Sequence, residues 1–256
     1  MLLAVDIGNT NIVIGIFQQD KLEATWHFAT DVHKMADEYA SVLLNLMPLD
    51  NLDFAHIDKA IISSVVPPLV TTFEELCKHY LKVTPMLVGT GIKTGVRIRT
   101  DNPREVGADR VVNAAAAHRR YGGPLIIIDF GTATTFDAVS RDGDLLGSAI
   151  APGITIAAEA LYERTAKLPR VELTAPHQSI GKNTVTAMQS GLIFGYVGLI
   201  EGIVARMRTE LGGKVQVIAT GGLASIIARE TGVIDTVDPN LTLEGLRLIY
   251  ELNNKG

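Results

Sequence analysis

Residues 4–11 read AVDIGNTN. An apolar strand runs into Asp6, and the chain then turns on Gly8 among small amide and hydroxyl residues. An uncompensated charge at the end of a buried strand is costly, so Asp6 needs something to hold. The pattern returns at mid-chain. Residues 2–22, LLAVDIGNTNIVIGIFQQDKL, align with residues 125–145, LIIIDFGTATTFDAVSRDGDL, each position 123 later. Asp6 falls on Asp129, Gly8 on Gly131 and Leu22 on Leu145. Both segments read as an apolar strand, D-x-G, a small polar turn, a second strand, a polar turn and a third strand. A period of this length means two similar domains rather than a solenoid.

The rest of each half extends the reading. Residues 35–47 (MADEYASVLLNLM) carry apolar residues at helical spacing with a wide apolar face. Residues 60–66 (AIISSVV) read as a strand closed by Pro67-Pro68. Residues 69–81 read as a helix, and 85–88 (PMLV) as a short strand. Residues 103–121 read as an alanine-rich helix ended by Gly122, Gly123 and Pro124. In the second half, helices are expected at 153–166, 183–211, 223–230 and 242–252, with a strand at 215–219. Three opening strands followed by alternating helices and strands predict an α/β chain of two domains, 1–121 and 122–256. Each is expected to be a mixed five-stranded sheet flanked by helices.

Composition narrows the function classes. Of 256 residues, 47% are apolar and 20% charged, enough to build a core, and the net charge of −5 disfavours a nucleic-acid binder. The single cysteine, Cys77, allows no internal disulfide and no cysteine metal cluster. The opening MLLAVDIG lacks a basic region before its apolar run, unlike a signal peptide. Residues 183–200 carry no charge, but their apolar part, 191–200, is too short to span a bilayer. A buried helix, no membrane and a cytoplasmic location are therefore expected. The six histidines are scattered without metal-ligand spacing, and KHYLK (78–82) reads as a solvated helix face.

Ligands of such sheets gather at the carboxyl ends of strands, so Asp6 and Asp129 are expected to meet across one cleft. Two carboxylates brought close need a cation, and a nucleotide with Mg²⁺ supplies one. The turns 8–11 and 131–134 offer backbone N–H groups and hydroxyls to phosphate oxygens. No Walker A motif occurs, so these hairpins would replace it. In VIATGGLA (217–224), Gly221 and Gly222 either let an adenine lie against bare backbone or form a plain loop.

The duplicated D-x-G hairpin resembles the actin-like (ribonuclease H-like) ATPase fold of sugar kinases, acetate kinases, Hsp70 and actin. A closer resemblance rests on DNPREVGADRVVNAAAA (101–117) with DIGNTN (6–11), IDFGTATTFD (128–137), GSAIAPGI (147–154) and ATGGLA (219–224). Together these are similar to the type III pantothenate kinases. The resemblance implies ATP-dependent phosphorylation of pantothenate, the first committed step of coenzyme A synthesis. It also implies a homodimer with the active site near the subunit interface, and a requirement for K⁺ or NH₄⁺.

Residue by residue, it implies Asp109 as general base and Gly107, Ala108, Asp109, Arg110 and Thr184 as the substrate-binding set. A guanidinium can take a carboxylate on two prongs, which suits Arg110 to pantothenate. ATP contacts fall on Asp6, Ile7, Gly8, Asn9, Thr10, Asn11, Ile12, Val13, Thr132, Gly221 and Gly222. Asp129 falls on the monovalent-cation ligand, and Asp6 orients Mg²⁺ directly or through water. Alternatives stay open: Asp109 and Arg110 as an ordinary surface pair, or Thr184 as a helix cap. Thr100 stands where many relatives have a substrate-contacting tyrosine. Gly191, Gly195, Gly198 and Gly202 share one helix face, either for packing within the subunit or for pairing helices across a dimer. The rival functions are a nucleotide-binding regulator without chemistry, an actin- or Hsp70-like protein, and a kinase for a sugar or acetate. The set Asp6, Asp109, Arg110 and Asp129 favours the pantothenate enzyme over the regulator. The short chain disfavours actin or Hsp70.

Overall fold

The repeated hairpin builds two sheets of the same strand order. The computed structural model describes residues 1–254. Strands β1 (Leu2–Ile7), β2 (Asn11–Gln18), β3 (Lys21–Ala29), β4 (Lys59–Ser64) and β5 (Met86–Leu87) form one sheet in the order β3-β2-β1-β4-β5. Strands β6 (Leu125–Phe130), β7 (Ala133–Val139), β8 (Leu145–Pro152), β9 (Gln216–Gly221) and β10 (Thr236–Val237) form the other, β8-β7-β6-β9-β10. In each, the first three strands run antiparallel and the last two join parallel. The duplicated α/β reading is therefore the fold, with both mixed sheets flanked by helices.

Continuous apolar strands are what a sheet covered on both faces requires. In β1, Leu3, Val5 and Ile7 face a core shared with helices α1 (Ala36–Leu46) and α2 (Pro67–Leu76). Leu2 and Ala4 face the other way, against Leu243, Leu246 and Ile249 of the C-terminal helix α7 (Leu241–Asn254) and against Val112 of α3 (Ala108–Tyr121). In the second sheet, Ile126, Ile128 and Phe130 pack against Ile193, Val197 and Ile200 of the long helix α5 (Thr184–Leu211). By length and composition α5 would pass for a membrane span. One face of it, carrying Ile193, Val197 and Ile200, is buried in this core, while the rest is half-buried or exposed.

Two compact units result, and they interleave along the chain. The first comprises Met1–Val96, Asn102–Ala116 and the chain from Leu241 onward; the second comprises Arg97–Asp101 and Ala117–Asn240. The C-terminal helix thus belongs with the first unit, not with the contiguous second half expected from a break near residue 121. Burial of its leucines, at about 1.5–3 kcal/mol for each side chain, decides where it packs.

Local differences have local causes. Pro67 and Pro68 do not merely close β4: they occupy the first turn of α2, where a missing N–H costs nothing. The helix expected to run to Leu81 leaves α-geometry at Cys77 and finishes as a π-turn ending at Lys82, with φ +57. The helix expected from Pro103 begins at Ala108, because Pro103–Glu105 form a separate 3₁₀ turn and Val106 is extended. Helices α4 (Ile154–Glu163) and α6 (Ala224–Ala228) are shorter than expected at both ends.

Candidate active site

Asp6 and Asp129 are each the penultimate residue of their strand, and both are half-buried. Their ladder positions match: Asp6 stands beside Ser63 of β4, and Asp129 beside Thr220 of β9. The turns that follow differ in length. Gly8 N–H donates to Asn11 O at 3.0 Å, whereas Gly131 N–H donates to Ala133 O at 3.1 Å. The second turn is one residue tighter. Thr134, expected in that turn, is instead buried in β7 opposite Phe130.

The first turn is tied down by the residue that follows β3. The Thr30 hydroxyl donates to Gly8 O at 2.6 Å, and Thr30 N–H to Thr10 O at 2.9 Å. A Cβ on Gly8 would stand 2.9 Å from Asn11 O, so the turn closes only with glycine there. Asn9, Thr10 and Asn11 are exposed at its tip. Ile7 and Ile12, placed among the ATP contacts by resemblance, are fully buried and pair across the β1–β2 ladder. Their side chains belong to the core, and Val13 is half-buried behind them.

The second turn is braced differently. Gly153, at the N-terminus of α4, donates to Thr132 O at 3.1 Å, and a Cβ on it would collide with that carbonyl. Gly221 adopts φ +90, and a Cβ there would stand 2.7 Å from Asp129 Oδ1 and from Phe130 N. Gly131 lies on another side of the same carboxylate, its would-be Cβ at 3.7 Å. The Asp129 carboxylate therefore sits in a cradle of bare backbone. Gly222 is exposed with open space around it. A hard oxygen donor in such a cradle fits an alkali or ammonium cation, and Asp6 at its strand end fits Mg²⁺ approached through water. Among the described residues no group of three or more His, Cys, Asp or Glu side chains converges to hold a metal. Either cation would complete its shell with water, phosphate or backbone oxygens.

Asp109 lies in the first turn of α3, where Arg110 N–H donates to its Oδ1 at 2.8 Å. Burial pushes the Asp109 carboxyl up, against the Arg110 N–H and guanidinium, which pull it down. Asp109 and Arg110 are both half-buried. Gly107 leaves the carboxylate its space, since a Cβ there would collide with Asp109 Oδ1. The same would-be Cβ lies 3.7 Å from Val65, whose N–H donates to Ile7 O at 3.0 Å. The Gly107–Arg110 turn therefore stands at the strand-end rim that carries Asp6. Thr100 Oγ1, ahead of this turn, is buried without a hydrogen-bond partner.

A cavity of about 880 Å³ opens in the second unit at the start of α5. Lys182, Asn183 and Thr184 form its polar lip, and Leu161, Met188 and Tyr196 its apolar wall. Asn183, not Thr184, caps the helix: its Oδ1 accepts from Thr186 N–H at 2.9 Å. Thr184 stays exposed at the cavity mouth. Lys182 was not anticipated as a site residue; a basic side chain one residue before a helix cap was the available signal. Helix α4 connects this cavity to the second turn, with Gly153 against Thr132 and Ala157 and Leu161 on the cavity wall. Further along α5, Gly191, Gly195 and Gly198 are exposed with nothing within 4 Å of a would-be Cβ, so they do not serve packing within the subunit.

Two solved structures share the architecture. One from Sinorhizobium meliloti, described as a 2-dehydro-3-deoxygalactonokinase, superimposes with a TM-score of 0.61 at 13% identity, over 100% of this chain and 98% of that one. Another, from Campylobacter jejuni and described as a Baf family transcriptional activator, gives 0.61 at 19% identity over 98% of both chains. These likenesses establish an actin-like fold of the kind sugar kinases use. The family model for type III pantothenate kinase matches residues 2–206. A type III pantothenate kinase of Dehalococcoides mccartyi is 56% identical over 252 residues, covering 98% of this chain and 96% of its own. The chain belongs to the type III pantothenate kinase family. It is a kinase for pantothenate in coenzyme A biosynthesis, using ATP with a divalent metal.

Proposed function

We propose that Asp109 is the general base of this kinase and that the reaction requires K⁺ or NH₄⁺ at Asp129. The observation that carries the first assignment is the place of the half-buried Asp109 carboxylate at the opening of α3, against Gly107 and beside the strand end of Asp6, where desolvation raises its proton affinity. Phosphoryl transfer to an alcohol needs a proton acceptor at the hydroxyl, alignment, and charge stabilisation on the phosphate. Asp109 accepts the proton as the pantothenate hydroxyl attacks the γ-phosphorus. Its raised affinity makes it a better acceptor than a solvated carboxylate. Arg110 takes the pantothenate carboxylate, and Thr184 contributes a hydroxyl to the substrate.

The turns after Asp6 and Asp129 present N–H groups and hydroxyls, among them Thr10 and Thr132, to phosphate oxygens. Gly221 and Gly222 leave bare backbone for the adenine face. Mg²⁺ and the monovalent cation, when bound, neutralise charge developing on the phosphoryl oxygens. Asp6 would hold the first, directly or through water, and Asp129 would ligate the second.

A homodimer is part of the same reading. The open glycine face of α5 and the exposed Ile150, Ile180 and Val185 support it. A single cysteine, which can form no internal disulfide, supports a cytoplasmic setting.

The test is ADP release from ATP and Mg²⁺ with a panel of alcohols, in potassium, ammonium or sodium buffer. Pantothenate is expected to be preferred, and turnover to depend on potassium or ammonium. Equal rates with sodium alone would remove the role given to Asp129.

A further inference from the structure

The chain leaves the first unit at Val96, spends Arg97–Asp101 in the second, and returns at Asn102. In that short excursion Ile98 makes a single parallel bridge to Leu145 at the edge of β8. Arg99 N–H donates to Leu145 O at 2.8 Å, and Leu145 N–H to Arg97 O at 2.9 Å. Asp144 precedes Leu145 and is buried at 8% exposure. Its Oδ1 accepts from Arg97 Nε at 2.7 Å and its Oδ2 from Arg99 Nε at 3.1 Å. Asp144 is itself held by the β7–β8 turn, its N–H donating to Ser140 Oγ at 3.0 Å. The two arginines are more than half exposed and share one face of the strand, because side chains alternate with a period of two.

An ordinary exposed ion pair contributes little to stability. This carboxylate is different, since it is buried and grips two guanidinium groups at once. A ladder with one bridge specifies its register weakly, and a slip of one residue turns every side chain to the opposite face. Such a slip moves the chain by about 3.3 Å. The segment from Asn102 to Gly107 is only a turn, and it delivers the chain directly to Asp109. A misplacement of about 1 Å can cost on the order of a hundredfold in rate, so a slip of three times that size would matter.

We infer that Asp144 is a positioning residue: by fixing Arg97 and Arg99 it sets the register from which the chain passes into the Asn102–Gly107 turn, and so places the pantothenate-binding residues Gly107–Arg110. The inference rests on the reading of that turn as the substrate site.

The test compares Asp144→Asn, the double variant Arg97→Gln/Arg99→Gln, and the triple combination. The arginines are exposed, so the double variant tests the clamp even where Asp144→Asn folds poorly. Either change is expected to lower kcat/KM for pantothenate by about ten- to a hundredfold while the KM for ATP stays within about twofold. The triple variant should be no worse than either, because the residues act as one unit. Amide exchange at Arg99 and Leu145 should quicken while β6 keeps its protection. Unchanged kcat/KM for pantothenate despite quickened exchange would overturn the inference, as would additive losses or an equal loss toward ATP. Asp109→Asn separates the two readings. Wild-type turnover in that variant removes the base assignment without touching the effect of Asp144 on pantothenate.

Discussion

Asp109 shows how one residue's surroundings set its chemistry. Burial raises its proton affinity, and the Arg110 N–H and guanidinium only partly offset this. The acidic limb of kcat/KM against pH should therefore fall at a pH above the ordinary carboxylate value of 3.8. A limb at or below that value would contradict it. The same shift has a sign for stability. Between its unfolded and folded pKa, the folded chain binds the proton more tightly. Stability therefore drops as pH rises through that window and stays lower above it. Asp109→Asn removes this penalty and keeps the acceptor oxygen for the Arg110 N–H. Its melting temperature should exceed the wild type's at neutral pH, the gap narrowing toward pH 3.8; a lower melting temperature at neutral pH would count against the buried charge. Gly107→Ala probes the same carboxylate from outside. Its methyl would displace Asp109 Oδ1, so kcat should fall by about tenfold or more, with the melting temperature changing by a few degrees at most. The raised proton affinity of Asp109 was not legible in the sequence, since GADR also admits an ordinary surface pair. What decides it is burial, which only the packed structure supplies.

Secondary elements carry the two strand-end turns, and these are braced by different neighbours. The first is tied by Thr30 just past β3, the second by Gly153 at the N-cap of α4 and by Gly221 at the end of β9. Gly221→Ala should be costly twice over. Its φ of +90 disfavours any side chain, and the methyl would press on Asp129 Oδ1 and the Phe130 backbone. A loss of about 1–3 kcal/mol is expected in denaturant unfolding, together with weaker activation by potassium. Wild-type stability would show that the turn can relax. Elements of this scale were largely legible. The offset between the two D-x-G hairpins located six strands, because apolar runs ending in Asp and Gly leave few alternatives. The ends of helices were less so. Pro103 looked like a helix start, but the extended Val106 interrupts the backbone before Ala108, and no local composition signals that break. The tighter second turn was also hidden, since the aligned sequences keep their offset through Leu145 while the β7–β8 loop absorbs the difference.

At the scale of the whole molecule, chain order and spatial grouping diverge. The C-terminal helix returns to the first unit, where Leu246 is fully buried against β1, β2 and β4. Leu246→Ala should cost about 2–5 kcal/mol of unfolding free energy, although every residue of that core outside α7 lies more than a hundred residues earlier in the chain. A loss below 1 kcal/mol would mean that α7 docks loosely. The amphipathic pattern of α7 was visible in the sequence; its partner was not, because periodicity says which face is apolar and not what covers it. On the proposed reading, nucleotide binding and proton transfer are carried by different residues and are separable. The decisive measurement is therefore made on Asp109→Asn, with ATP binding read by calorimetry and turnover by ADP release in potassium buffer. The account predicts near-native ATP affinity with turnover reduced by about two powers of ten or more. Native ATP affinity with turnover close to that of the unaltered enzyme would contradict it.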